Sequence, residues 1–241
     1  MLRHVLTAAT AALLTPAVAG ALTFAPAITF DVVGGDAGVQ VNSLGTGVDT
    51  GDVRTWTLSG PVSIEGVSLD SWSAQLKEDP FVTNNIVVTN TTAFTQTFVA
   101  TVLLPIPAYA YDQVISSSVG VTTTDSNGNG VLSFAKNGAT PIYQGTVNGV
   151  TVLSLDPPGL PLTTADCPVA FPGCTATSAT GVASLFVPAG TATSIGITLT
   201  FDLSPGDSAG ITSRFEIVPE AGTAALIGLG LLGLSTRRRR V

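Results

Sequence analysis

The sequence predicts an all-β protein, a β-sandwich with a jelly-roll-like arrangement, from three observations. Threonine contributes 34 of the 241 residues, beside 26 glycines and 15 prolines, a composition that favours strands and turns. Charged residues are only 10% of the chain, whereas the exposed faces of surface helices normally need Lys, Glu and Arg. Between the two ends of the chain, apolar residues alternate with polar ones and show no stripe of helical period. Many short strands separated by turn residues are typical of β-sandwiches.

Strands are predicted wherever this alternation persists. It is clearest over residues 194–203, where Ile195, Ile197 and Leu199 share one face with Phe201 and Leu203. Asn148-Gly149 lies between two apolar runs and predicts a hairpin with a type I′ turn. The Pro-rich stretch 156–180 is predicted to be a long loop. The remaining predicted strands are 22–33, 53–58, 62–69, 71–77, 86–90, 97–104, 114–124, 131–135, 142–147, 150–155, 181–187 and 211–217.

A single domain over residues 22–217 is expected, because the sequence shows no fixed-period repeat and no linker that would divide it. This body carries four basic and fifteen acidic side chains, a net charge of −11. Such a surface repels nucleic acid, so no nucleic-acid partner is expected. It tolerates divalent cations and neutral sugars.

The N-terminus has the order of features that defines a secretory signal peptide. Arg3 is followed by an apolar run from Val5 to Leu14 and then by Pro16 and small residues at Ala17 and Ala19, or at Ala19 and Ala21. The run is too short to span a bilayer, which needs about 20 apolar residues. Residues 1–21 are therefore predicted to be a signal peptide removed by signal peptidase, with a short buried helix as the alternative.

The C-terminus, residues 218–241, has the features of a membrane anchor preceded by a short motif. Val218-Pro219-Glu220 comes first, then an uncharged apolar stretch over residues 221–234. As a helix this stretch is about 21 Å long, shorter than the roughly 30 Å hydrocarbon core, so either its flanking residues contribute to an anchor or the bilayer thins around it. Four arginines follow and are expected to stay cytoplasmic, which places the body outside. The anchor residues are Leu226, Ile227, Leu229, Leu231, Leu232 and Leu234, and the basic stop-transfer residues are Arg237, Arg238, Arg239 and Arg240.

This tail resembles a PEP-CTERM sorting signal, which joins a Pro-Glu-containing tripeptide, a Gly/Leu-rich transmembrane segment and terminal arginines. Val218, Pro219 and Glu220 match the start of the motif, while the usual second proline is Ala221 here. The resemblance implies recognition by exosortase, a membrane-embedded transpeptidase-like enzyme, and a link to exopolysaccharide or biofilm. The alternative is an ordinary C-terminal anchor helix.

Cofactor and zinc sites find no support in the sequence. Gly228, Gly230 and Gly233 spell G-x-G-x-x-G, but no second strand can follow them, so a dinucleotide site is rejected and no cofactor is expected. Cys167 and Cys174 are the two cysteines of the chain, and in an exported protein they predict a local disulfide. Without a histidine in the body they cannot complete a Cys/His zinc site.

A calcium loop is the strongest candidate for a metal site. Asp125, Asn127 and Asn129 occupy alternate positions and Gly130 is the sixth residue, as in an EF-hand loop. The twelfth position should be Glu, but it is Lys136. A polar hairpin turn is therefore favoured over a weak calcium site.

Catalysis is not expected. The single histidine, His4, lies in the predicted signal peptide, so no Ser-His-Asp triad can form in the body. The acidic pairs Asp49/Asp52, Glu78/Asp79 and Asp31/Asp36 lie beside Gly or Pro, as solvated turn residues do. We expect an exported envelope or extracellular-matrix protein with a structural or binding role, and the resemblance of its tail implies a link to exopolysaccharide or biofilm.

Two alternatives remain: a carbohydrate-binding or adhesive module and, less favoured, a secreted glycosidase. Tyr109 and Tyr111 are the candidates for an exposed sugar-stacking pair, whereas Trp56 and Trp72 are expected in the core.

Overall fold

The chain forms β-strands throughout the residues that can be described. A computed structural model describes residues 25–35, 38–58, 60–77, 80–108, 113–167, 173–188 and 190–219. Within these ranges lie sixteen strands and two three-residue 3-10 helices, Asn42–Leu44 and Thr164–Asp166. In chain order the strands are β1 (Ala27–Val32), β2 (Val39–Gln40), β3 (Thr46–Thr50), β4 (Val53–Leu58), β5 (Val62–Ile64), β6 (Val67–Lys77), β7 (Phe81–Thr89), β8 (Gln96–Pro105), β9 (Gln113–Thr124), β10 (Ser133–Ala135), β11 (Tyr143–Val147), β12 (Val150–Leu155), β13 (Leu162–Thr163), β14 (Thr175–Val187), β15 (Ser194–Leu203) and β16 (Ser208–Pro219).

The strands pair into two antiparallel sheets. Sheet 1 has the order β12-β11-β15-β8-β1-β2, with β10 paired to both β15 and β13. Sheet 2 has the order β14-β9-β16-β7-β6-β4-β3, with β5 paired to β6. Side chains from both sheets meet in a shared hydrophobic core. The predicted all-β, sandwich-like architecture is confirmed.

The core is built from the apolar face of each alternating strand. Every second residue of β15 from Ile195 to Leu203 is buried, as the period of the sequence predicts. Phe201 stacks between Phe98 and Phe134, with ring centroids 5.2 and 5.1 Å away. Both tryptophans, Trp56 and Trp72, are buried and meet edge to face at 5.8 Å, so the prediction that they belong to the core is confirmed.

Tyr143 and Gly145 of β11 set the contact between the two sheets. The Tyr143 hydroxyl lies 3.1 Å from Ser117 Oγ and 3.1 Å from the carbonyl oxygen of Arg214, both on sheet 2. Burial raises the pKa of Tyr143 above its usual value, so the hydroxyl stays neutral. A Cβ at Gly145 would lie 2.5 Å from the ring of Phe215, which shows how closely sheet 2 approaches at this point.

The hairpin prediction is confirmed. Asn148 and Gly149 both have positive φ, 53° and 75°, as a type I′ turn requires, and they join β11 to β12.

Two of the sequence predictions about strands and loops are wrong. Residues 62–69 form two strands, because Glu65 and Gly66 have positive φ and turn the chain between β5 and β6. The stretch 156–180 contains β13, a 3-10 helix and the first half of β14. That half of β14 alternates Thr with Ala and pairs with β9, so it lacks the large apolar residues that would have marked it as a strand.

Candidate functional site

The first two residues of the sorting motif belong to β16, which is the last strand in chain order and lies between β9 and β7 in sheet 2. Val218 lies opposite Val114 and Pro219 opposite Gln113, so β16 continues into the motif without an intervening linker. Val218 is 42% exposed. Glu220, the anchor residues and the four arginines lie outside the described residues, as does the signal peptide. Within the described ranges, no helix is long and apolar enough to cross a membrane.

The two cysteines are joined by a disulfide. Cys167 and Cys174 have their Cα atoms 5.4 Å apart, and Cys174 is buried against the core. The carbonyl oxygen of Cys174 accepts a 2.9 Å hydrogen bond from the backbone N–H of Asp125. The disulfide-closed loop is thereby attached to the start of the predicted calcium loop.

The loop 125–130 is held by its own side chains. Asp125 is only 1% exposed, and its Oδ1 and Oδ2 accept backbone N–H bonds from Gly128 (2.8 Å) and Gly130 (2.9 Å). Asn127 Oδ1 accepts from the N–H of Asn129, and Asn129 Oδ1 accepts from the N–H of Val131. This is the pattern of the polar turn that the sequence favours.

A second buried carboxylate, Asp207, lies beside this loop. Asp207 is 0% exposed, and its Oδ2 accepts a hydrogen bond from Ser204 Oγ. Its Oδ1 has no hydrogen-bond partner. Burial raises the pKa of Asp207 to about 6; the hydrogen bond from Ser204 opposes this rise, the negative charge of Asp125 adds to it, and the backbone N–H of Ser126 opposes it.

The predicted sugar-stacking pair, Tyr109 and Tyr111, lies outside the described residues. Trp56 and Trp72 are in the core, as expected. Among the described residues, Phe94 is an exposed aromatic side chain, at 75% of its surface, on the loop that follows β7. Its backbone carbonyl is fixed by a 2.8 Å hydrogen bond from Asn90 Nδ2.

Two of the predicted turn acids, Asp49 and Asp52, form ion pairs. Arg54 bonds Asp49 through Nε at 2.6 Å and Nη2 at 2.9 Å, and Lys77 Nζ lies 2.9 Å from Asp52. The hydrogen bond from Arg54 lowers the pKa of Asp49, and that from Lys77 lowers the pKa of Asp52. Asp31, also predicted to lie at a turn, is instead part of β1, where it lies opposite Val99. Asp36, Glu78 and Asp79 lie outside the described residues.

A shallow groove of about 430 Å³ crosses the outward face of sheet 2. Its floor is formed where Gly120 lies opposite Thr212, and Gly210 lies opposite Thr122. Strand β14 adds Thr177 beside Thr122, and Ala179 beside Gly120. We call these six residues, Gly120, Thr122, Thr177, Ala179, Gly210 and Thr212, the threonine groove. All six are uncharged, and the three threonines are exposed.

Sequence reasoning missed the threonine groove, Phe94 and Asp207. Alternation along β9 and β16 indicates which residues share a face, but it does not reveal that the two strands are neighbours. The only signal for Asp207 is its turn, Gly206-Asp207-Ser208, which is typical of an exposed loop and not of a buried carboxylate.

A comparison with curated protein sequences finds no match. Among solved structures, the chain is similar to TmCBM61, determined in complex with β-1,4-galactotriose. The sequence identity is 12%, the TM-score is 0.23, and the match covers 73% of this chain and 87% of that one. The two structures overlap too little for this likeness to bear on function.

The tail matches a family model. Residues 218–240 fit the PEP-CTERM protein-sorting motif, as the resemblance of the tail predicts. This motif implies processing by exosortase, and it implies an exported protein that is anchored at its C-terminus before processing. The chain therefore carries a PEP-CTERM protein-sorting motif at residues 218–240, and the presence of this motif is consistent with the protein being an exosortase substrate.

Proposed function

We propose that this protein is a non-enzymatic component of the cell envelope or extracellular matrix whose β-sandwich binds a neutral polysaccharide, and that exosortase releases it from its anchor. The polysaccharide is proposed to be an exopolysaccharide of the biofilm type. Among the described strands, the chain changes sheet at β2–β3, β7–β8, β8–β9, β9–β10, β13–β14, β14–β15 and β15–β16, which supports a jelly-roll-like connectivity.

The observation that carries the proposed binding role is the threonine groove. Thr122, Thr177 and Thr212 are exposed around the floor of the groove. Gly120 and Gly210 form part of this floor and, as glycines, place no side chain in the groove. Hydroxyl groups donate and accept hydrogen bonds, as sugar hydroxyls do. Because the groove is open, it can bind an internal stretch of an extended polysaccharide and does not need to bind the end of the polysaccharide.

The electrostatics of this face fit a neutral ligand. The charged side chains of the neighbouring part of β16, Arg214 and Glu216, bond each other at 2.7 Å, so their charges are paired. Arg214 also lies over the ring of Phe81, with its Cζ 5.3 Å from the ring centre. The net charge of −11 on the body disfavours an anionic polysaccharide.

The proposal predicts that filling the groove abolishes binding without unfolding the protein. Gly120 and Gly210 have φ outside the left-handed region, and a Cβ would meet its nearest neighbours at 3.6 Å and 3.9 Å, which is ordinary contact. Gly120→Val and Gly210→Val therefore add branched side chains that strands favour. Binding of the full-length protein to neutral polysaccharides, measured by glycan array and affinity electrophoresis, is expected to be lost in both variants.

The matched control is Gly47→Val, the same change on the exposed edge strand β3 of the same sheet. Its nearest neighbour would be Arg54 Cδ at 3.7 Å. This variant should bind as the unchanged protein does. Equal binding by all three variants, or no binding to any neutral polysaccharide, would contradict the proposed role of the groove.

A further inference from the structure

We infer that the loop 125–130 binds a calcium ion together with Asp207, whose carboxylate supplies the acidic ligand that the loop lacks at its twelfth position. This site is separate from the threonine groove and does not depend on the polysaccharide proposal.

The loop presents its oxygens in the order that calcium loops use. Asp125, Asn127 and Asn129 hold the first, third and fifth positions, and Asp125 Oδ2 accepts the N–H of Gly130 at the sixth. Each of these side-chain oxygens accepts one backbone N–H and retains a second lone pair for a cation. Carboxylate, amide and backbone carbonyl oxygens are the ligands that calcium prefers.

Asp207 is the independent observation that points to a ligand. It comes from a different segment, the turn between β15 and β16, and is completely buried, yet its Oδ1 has no hydrogen-bond partner. Buried carboxylate oxygens without partners are costly, and native proteins satisfy them with protein groups, water or ions.

The two segments are held against each other by direct contacts. Asn127 Nδ2 donates to the carbonyl oxygen of Pro205 at 2.9 Å, and Ser126 Oγ lies 2.7 Å from Ser208 Oγ. These contacts flank Asp207 on both sides along its own turn. Asp207 therefore lies in the part of its turn that is in contact with the loop carrying Asp125.

The described part of this region holds two buried carboxylates whose negative charge a bound cation would balance. Asp125 and Asp207 are both buried carboxylates, and neither takes part in an ion pair within the described ranges. Lys136 occupies the twelfth position, where an EF-hand has Glu. Its Nζ lies 2.6 Å from Oδ2 of Asp156, with which it forms an ion pair. The positive charge of Lys136 is thereby neutralised by Asp156.

The donor set favours calcium over transition metals. No group of three or more His, Cys, Asp or Glu side chains is gathered within the described part of the chain. The proposed site consists of the carboxylates of Asp125 and Asp207 with the side-chain amide oxygens of Asn127 and Asn129. Hard oxygen donors of this kind suit calcium, whereas zinc and copper prefer nitrogen and sulfur. Extracellular modules bind calcium with a Kd of about 10⁻⁴ to 10⁻³ M, which is the range expected here.

The test is calcium titration of the full-length protein in detergent at neutral pH, after treatment with a chelator. Isothermal titration should show one saturable site, and calcium at about a hundred times its Kd should raise Tm by roughly 5–10 °C. Asp207→Asn and Asp125→Asn should weaken calcium binding by more than about tenfold, because even groups behind the direct ligands of a metal contribute about 10- to 100-fold. Asp207→Asn should remain folded without calcium, since it removes a buried charge.

The control is Asp49→Asn, which removes an acidic side chain that is ion-paired to Arg54 on β3. It should respond to calcium as the unchanged protein does. The inference is overturned if calcium does not raise Tm in the unchanged protein, or if Asp207→Asn gains as much Tm from calcium as the control. An equal response to magnesium and calcium would also overturn it, because it would indicate unspecific neutralisation of an acidic surface.

Discussion

The hydroxyl group of Tyr143 and the absence of a side chain at Gly145 allow the two sheets to approach each other closely. The Tyr143 hydroxyl finds its partners on the opposite sheet, and the absent side chain of Gly145 leaves room for the ring of Phe215. A glycine inside a strand is usually unfavourable, by about 0.5–1 kcal/mol relative to alanine. Here that cost is offset by the close packing it permits.

Gly145→Ala is expected to lower the free energy of unfolding by about 1–3 kcal/mol, because the new Cβ would overlap the Phe215 ring. The measurement is urea unfolding followed by tryptophan fluorescence. Gly210→Ala is the matched control, since a Cβ there meets only ordinary contacts and should leave stability unchanged or slightly higher. Equal effects of the two substitutions would show that the sheets do not pack as described.

At the scale of elements, the disulfide-closed loop supports the calcium loop. Cys174 precedes β14, is buried, and accepts the N–H of Asp125 through its carbonyl oxygen. Two loops that are distant in sequence are thus joined at one end of the sandwich.

Reducing the Cys167–Cys174 disulfide is expected to lower the free energy of unfolding by roughly 2–3 kcal/mol, the chain-entropy value for a loop this short. The measurement is denaturant unfolding with and without a thiol reductant. The double substitution of both cysteines by alanine should reproduce the loss and be insensitive to the reductant. A change below about 0.5 kcal/mol, within the range of an ordinary surface substitution, would show that the disulfide contributes nothing to stability.

The sequence predicts elements well where the local signal and the tertiary environment agree. The hairpin at Asn148-Gly149 follows from turn chemistry alone, and β15 follows from alternation that matches its buried face. The first half of β14 was missed because Thr and Ala carry little hydrophobic signal and its partner β9 is far away in sequence. Glu65 adopts a left-handed backbone conformation that its residue type does not indicate.

The candidate sites show the same limit. Asp125, Asn127 and Asn129 were found from spacing, because all three lie in one short segment. Asp207 and the threonine groove depend on which strands are neighbours, and sequence patterns do not specify strand order.

At the scale of the whole molecule, β16 links the calcium loop to the sorting tail. It begins at Ser208, next to Asp207, and ends at Pro219, inside the sorting motif. Eleven residue steps of about 3.3 Å separate these ends by roughly 36 Å. While the protein is anchored, we expect the end that carries the calcium loop and Phe94 to face away from the membrane.

The most direct test of export and C-terminal sorting is intact-mass spectrometry of the protein from its own cells, compared between the membrane fraction and the medium. We predict that the released protein lacks residues 1–21 and all residues after about Glu220. The membrane fraction should contain the form that retains the anchor. A released protein that still carries Arg237–Arg240, or one that retains its first residues, would contradict this account.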